Sequence, residues 1–137
     1  MRALVDTSAL LALSRTRDQY HARAIGIAEM HLGAGGRYCG TTLILGELHA
    51  HLVHLRGPAA ARDALVRLLD DPIHQWIEVD ASLVSDAITN WLAKFGDQTF
   101  TLTDAVSFEV MKREKLRRAF AFDQHFEIAG FELLAER

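Results

Sequence analysis

The chain is poor in cysteine and proline: Cys39 is its one cysteine, and Pro58 and Pro72 are its two prolines, among 137 residues. A lone cysteine excludes an internal disulfide and a cysteine-built zinc site. No stretch reaches the ~18 consecutive apolar residues of a membrane span. The N-terminal Met-Arg-Ala-Leu-Val-Asp carries an acid at position 6, and no apolar segment long enough for a signal peptide follows. A cytoplasmic protein is therefore expected. An excess of basic charge is also missing, with 15 Lys+Arg against 18 Asp+Glu and a formal charge of −3. That balance argues mildly against a nucleic-acid partner. There is no repeat, low-complexity tract or Pro/Gly/Ser-rich linker, so residues 1–137 are expected to form a single domain.

Half of the residues are apolar or aromatic and 24% are charged. Both values suit a folded soluble domain and exclude disorder as the main state. Short apolar runs at 2–5, 37–40, 74–79, 119–122 and 131–134 predict strands. Helices are predicted from Asp6-Thr7-Ser8 onward (Thr7 or Ser8 as cap), over 18–33, 43–56 and 59–70, from Asp80 to about Phe95, and from Thr103 to about Glu114. Leu45, Leu48, Leu52 and Leu55 recur at helical spacing. Strands alternating with helices predict an α/β fold with a mainly parallel, Rossmann-like sheet, covered by helices on both faces.

Four carboxylates fall where such a sheet gathers function. Asp6 and Asp123 directly follow apolar strands, and Glu47 and Asp104 lie in the first turns of helices that follow connecting segments. Ligands bind outside the C-terminal ends of parallel strands, and helix N-termini point into the same crevice. Converging carboxylates repel one another unless a cation sits among them. Hard divalent ions such as Mg²⁺ or Mn²⁺ favour oxygen ligands, and one or two of them suit phosphodiester hydrolysis. Taken singly, an acid at a helix start also has a plain reading, because it suits the helix dipole. Competing α/β sites fit poorly. The residues after the first strand read Asp-Thr-Ser-Ala-Leu-Leu, which is no dinucleotide fingerprint, and no phosphate-binding Gly-rich loop ending in Lys-Ser/Thr is present.

Further motifs accompany the acids. Val5-Asp6-Thr7-Ser8-Ala9-Leu10 is followed by Asp18-x-x-His21-x-x-Ala24, by Thr41-Thr42 through Glu47-Leu48, and by Leu102-Thr103-Asp104-Ala105-Val106-Ser107-Phe108. Phe122-Asp123-Gln124-His125-Phe126 comes last, ahead of Gly130-Phe131. In this order the chain resembles a PIN domain over its whole length, particularly the small ribonuclease toxins of the VapC type. The resemblance implies a Mg²⁺- or Mn²⁺-dependent endoribonuclease with Asp6, Glu47, Asp104 and Asp123 as catalytic and metal-site acids. It implies a hydroxyl at Ser8 supporting the first acid, with Thr7 and Thr103 as neighbours of the site. It also implies RNA as substrate, a homodimer and a cognate antitoxin protein. The family often carries Thr or Ser two residues before the last acid, where this chain has Ala121. That departure motivates an alternative reading, a non-catalytic binding or regulatory module. A metal-dependent phosphatase or DNA nuclease using the same acids is a further alternative.

Other residues have competing explanations. Lys112, Arg113, Lys115, Arg117 and Arg118 could grip phosphate, as could Arg15 and Arg17, or they could simply be solvated helix ends. His51 and His54 share a helix face with Glu47, and His49 lies beside them; zinc binding and plain surface histidines are the alternatives. Trp76 could stack a base. Trp91, Phe120, Phe122 and Phe126 are expected in the core, and Cys39 as buried strand filler. The four acids also sharpen the charge argument. Setting them aside leaves 15 basic against 14 acidic residues, so the deficit of positive charge is largely one cluster.

Overall fold

The computed structural model describes residues 1–135. Five strands form one sheet: β1 (Arg2–Val5), β2 (Arg37–Thr41), β3 (His74–Ile77), β4 (Arg118–Phe120) and β5 (Glu132–Leu133). All pairings are parallel, in the order β3-β2-β1-β4-β5. Helices α1 (Thr7–Ser14) and α2 (His21–Gly33) connect β1 to β2, and α3 (Thr42–Arg56) and α4 (Pro58–Asp70) connect β2 to β3. The chain then returns through α5 (Ala81–Ala87), a stretch of wider π-type turns at Ile88–Ala93, and α6 (Leu102–Arg113) to reach β4 on the other side of β1. The four-residue α7 (His125–Ile128) leads to β5. No described helix is long and apolar enough to cross a membrane.

This strand order creates the crevice. Successive connections run outward from β1 to β2 and β3, and then from β4 to β5 in the opposite direction. The loops leaving β1 and β4 diverge, and a parallel sheet opens at such a reversal. Ala3, Leu4 and Val5 are fully buried because β1 lies at the centre of the sheet with helices on both faces. Asp6 is the next residue.

Several sequence expectations shift in detail. Helix α2 begins at His21 rather than at Asp18, because the Asp18 carboxylate turns back to accept the Tyr20 backbone N–H at 2.8 Å. Helix α1 is capped by Asp6 itself, not by Thr7 or Ser8. Helix α6 begins one residue before Thr103, behind Thr101 as cap. The apolar stretch 80–95, predicted as one helix, changes to wider turns after Ala87. There Asn90 and Trp91, adjacent in sequence, both donate to Glu109 Oε1, at 3.0 and 3.1 Å. Pro58 opens α4, as a first-turn proline can, after Gly57 at φ 89°.

Trp76 is explained by packing rather than by base stacking. Its indole N–H donates to the Leu68 carbonyl at 3.1 Å, and its ring lies across Gly40 of the neighbouring strand. A Cβ at Gly40 would stand 2.4 Å from that ring. Gly40→Ala is therefore expected to destabilise the fold by about 1–3 kcal/mol, the usual cost of overpacking. Chemical denaturation measures this, and Trp76→Leu in the same chain should recover part of the loss. Trp91, Phe120 and Phe126 are buried as expected, whereas Phe122 is only half-buried. Cys39 is fully buried, and burial pushes its thiol up to about 11, so it is no nucleophile at neutral pH.

Candidate metal and active site

Asp6 caps α1 at the end of β1. Its backbone N–H extends the sheet by donating to the Phe120 carbonyl at 3.0 Å. Its side chain is held by Ser8, whose hydroxyl donates to Asp6 Oδ2 at 2.7 Å and whose backbone N–H approaches the same oxygen at 3.3 Å. The Ser8 hydroxyl also accepts the Phe122 backbone N–H at 3.1 Å. One hydroxyl thus ties the end of β1 to the segment after β4, across 114 residues of sequence. Asp6 is 5% exposed. Burial pushes its carboxyl up to about 6; the Ser8 hydrogen bonds oppose the rise, and the negative charges of Asp104 and Glu47 add to it. Three of the four predicted acids therefore act on one another electrostatically.

Asp104 is 7% exposed and sits in the first turn of α6, in a reciprocal cap. Its backbone N–H donates to Thr101 Oγ1 at 3.1 Å, and its Oδ2 accepts the Thr101 N–H at 3.0 Å. The hydroxyl that organises Asp104 is thus that of Thr101, not that of Thr103. The Thr7 hydroxyl is buried without a hydrogen-bond partner among the described residues.

Asp123 follows β4 and meets Asp104 through His125, which the sequence reading left without a role. His125 Nδ1 lies 2.9 Å from Asp104 Oδ2 and 3.3 Å from Asp123 Oδ2. The His125 backbone N–H donates to Asp123 Oδ1 at 2.8 Å. These contacts orient the last acid without a hydroxyl at position 121, where Ala121 is buried. Asp104, Asp123 and His125 offer ligand atoms within 4.8 Å of one another. The available signal was the Asp123-x-His125 spacing at a strand end, where a tight turn folds the imidazole back over the carboxylate. Glu47 is half-buried in the second turn of α3 and makes no side-chain hydrogen bond among the described residues.

The remaining candidates lie elsewhere. His51 and His54 are exposed, and neither they nor His49 join Glu47 in a ligand group of three among the described residues. The basic run occupies the other end of α6, about 14 Å along the axis from Asp104 to Arg113 at 1.5 Å per residue. Arg113 is bound to Asp86 and Glu109, and Arg118 lies 3.3 Å from Glu132. Lys115 and Arg117 line a hollow with Arg2 and Glu114 on that side. Arg15 and Arg17 cluster with Arg56 past the C-terminal end of α1.

The donor set is carboxylate oxygen with one imidazole, gathered where a parallel sheet reverses its strand order. This fits a hard divalent cation, which would offset the burial that chiefly raises Asp6 and the smaller repulsion from Asp104 and Glu47. An α/β fold with acids converging at that point is the arrangement of a nuclease-like class. The PIN domain model matches residues 3–132, and the chain belongs to the PIN domain family, as a protein of the VapC type.

It is 28% identical over 127 residues to the 23S rRNA-specific endonuclease VapC20 of Mycobacterium tuberculosis, covering 93% of each chain. The crystal structure of that sarcin-ricin loop cleaving toxin superposes with a TM-score of 0.80 at 30% identity, over 94% of this chain and 95% of the other. VapBC2 from Rickettsia felis, solved bound to a DNA fragment from its promoter, shares the fold at a TM-score of 0.71 and 12% identity, over 97% of each chain. FitAcB from Neisseria gonorrhoeae does so at 0.67 and 15%, over 98% of this chain and 96% of that one.

Ser8→Ala removes the hydroxyl shared by Asp6 and Phe122. With Asp6 as the ligand proposed below, RNA cleavage by this variant is expected to fall about 10–100-fold, the range for losing a group that orients a metal ligand. Single-turnover rates check this, with the metal dependence of the rate shifting to higher concentration.

Proposed function

We propose that the chain is a divalent-metal-dependent endoribonuclease that hydrolyses RNA phosphodiester bonds and acts as the toxin of a toxin–antitoxin pair. The observation that carries this reading is the convergence of Asp6, Asp104 and Asp123 at the sheet's reversal point, with Glu47 close enough to bear on Asp6. The VapC20 likeness supports ribonuclease chemistry. Asp6 and Asp104 would be the principal ligands of Mg²⁺ or Mn²⁺, with Asp123 completing the site. Such an ion lowers the pKa of water and neutralises charge at the leaving oxygen. Glu47, less buried and without a fixed partner, is free to orient the attacking water or to take its proton. Ser8 holds Asp6 in the ionised, ligating position, and Thr101 does the same for Asp104. His125 keeps Asp104 and Asp123 together and would offer its imidazole nitrogen beside their carboxylates. A second copy of the chain and an antitoxin protein are the proposed partners.

The test is cleavage of structured RNA with added Mg²⁺ or Mn²⁺. The wild-type chain is expected to cut, and the Asp6→Asn/Asp104→Asn chain is expected not to. Undiminished cleavage by the double variant would overturn the assignment.

A further inference from the structure

A cavity of about 540 Å³ lies against the segment that carries Asp123. Ala121, Phe122, Glu127 and Phe131 line it together with residues 132–135, and Tyr20 and Arg23 line it from the α2 side. One wall is an aromatic stack: Tyr20 and Phe122 have ring centroids 4.7 Å apart and planes 2° from parallel. The Arg23 guanidinium carbon lies 5.7 Å from the Phe122 centroid. Both rings pack against the core yet are only half-buried, and Arg23 is exposed, so part of the stack is open to solvent.

The cavity is mechanically joined to the acids. Phe122 is fixed to Ser8, and through it to Asp6, by its backbone N–H. Asp123 is the next residue. Helix α7 begins with His125 on Asp104 and carries Glu127 on the cavity two residues later. The four acids do not themselves line the cavity; it is linked to them through this 121–127 segment.

Its chemistry is selective. Glu127 is exposed and makes no ion pair or side-chain hydrogen bond among the described residues, whereas the other lining acid, Glu132, is engaged by Arg118. An ionised carboxylate only accepts hydrogen bonds. It repels phosphate and selects a ligand edge made of donors. Aromatic faces and a guanidinium stack well on nucleobases.

We propose that this cavity is a base-reading subsite that takes an unpaired guanine of the RNA, stacked on the Tyr20–Phe122 wall and read by Glu127. Guanine offers two parallel donors, N1–H and the N2 amino group, to one carboxylate. Adenine and cytosine place a ring acceptor beside their amino group, and uracil flanks its single N–H with two carbonyls, so each sets an acceptor against the carboxylate. The subsite rests on the ribonuclease reading for its biological ligand, but its binding can be measured apart from cleavage.

The experiment is calorimetric titration of the intact chain in EDTA with GMP, AMP, CMP and UMP. GMP is expected to bind about tenfold or more tightly than the others, the discrimination usual for a bidentate base contact. Glu127→Gln should remove that preference while leaving AMP binding unchanged. Tyr20→Leu should weaken all four, and thermal melting verifies that each variant is folded. Equal affinities, no GMP binding at millimolar concentration, or a preference that survives Glu127→Gln would overturn the proposal. Asp6→Asn, which is expected to abolish cleavage, should leave GMP binding intact. RNA cleavage without GMP preference therefore sinks the subsite alone, and GMP binding without cleavage sinks the ribonuclease reading alone.

Discussion

Asp6→Asn is expected to stabilise the metal-free protein while lowering RNA cleavage by more than 100-fold. The two effects share one cause. Burial pushes the Asp6 carboxyl up to about 6 from 3.8, against the Ser8 hydrogen bonds and with help from the Asp104 and Glu47 charges. The folded state thus binds this proton more tightly than the unfolded chain does. Its contribution to stability is most favourable below about pH 4 and is lost as pH rises through 6. Each pK unit corresponds to 1.36 kcal/mol, so at neutral pH the ionised carboxylate costs the apo protein about 3 kcal/mol. Asparagine keeps an acceptor for Ser8 and a competent helix cap while removing the charge.

Urea denaturation in EDTA at several pH values gives the measurement. The variant's advantage should reach about 1–3 kcal/mol at pH 7.5 and shrink toward pH 4.5. Added Mn²⁺ should then raise the stability of the wild type and not that of the variant, because only a ligand that binds the folded state stabilises it. A variant no more stable than wild type at pH 7.5 would contradict the burial argument. Retained cleavage would contradict the role of Asp6 as a ligand.

The second large effect is structural. Glu109 is 5% exposed on α6, one turn and a half beyond Asp104. Burial alone would raise its pKa. Hydrogen bonds from Asn90, Trp91 and Arg113, together with the Arg113 charge, outweigh burial and hold it below its usual range. Glu109→Ala leaves the buried Trp91 N–H and the Asn90 amide without their acceptor. Stranding buried donors costs about 1–3 kcal/mol each, so a loss of about 2–4 kcal/mol is expected. Glu109→Gln keeps an acceptor oxygen but loses the charge toward Arg113 and should cost about half as much. The sign with pH is opposite to that of Asp6. The stabilisation is present above the unfolded carboxyl value and is lost as pH falls through the folded one. A wild-type-to-Glu109→Gln stability difference that does not narrow on acidification would contradict this account.

The same two residues show how far the sequence could be read. Asp6 was legible because an acid immediately after a buried strand stands out against Ala3, Leu4 and Val5. Asp123 was legible for the same reason, whereas Asp104, a first-turn helix acid with a plain reading of its own, stood out only through the whole-length motif order that pointed to the PIN family. Glu109 was not legible. Its partners Asn90 and Trp91 lie 19 and 18 residues away, and they meet it together only because the helix widens after Ala87. No apolar periodicity announces such a widening. His125 has no role that the sequence reveals, since its imidazole gains one only when α6 sets Asp104 2.9 Å from it. Phe122 packs against the core as an aromatic residue after a strand is expected to, but the tertiary arrangement leaves it half-buried, stacked on Tyr20 and under Arg23.

The sequence by itself determined most of the elements and the parallel sheet, and it singled out the candidate acids. Those follow from local apolar periodicity, turn residues and the position of charge relative to buried strands. The tertiary structure decided which groups meet. It made Asp6 rather than Ser8 the helix cap, it made Thr101 rather than Thr103 the support of Asp104, and it placed the basic run at the far end of α6. It also raised Asp6 toward neutrality. The physical reason is the reversal of strand order at β1 and β4. Only that long-range crossover ties the end of β1 to the segment after β4, through the Ser8 hydroxyl, and the burial that raises Asp6 exists only once the fold has closed over it.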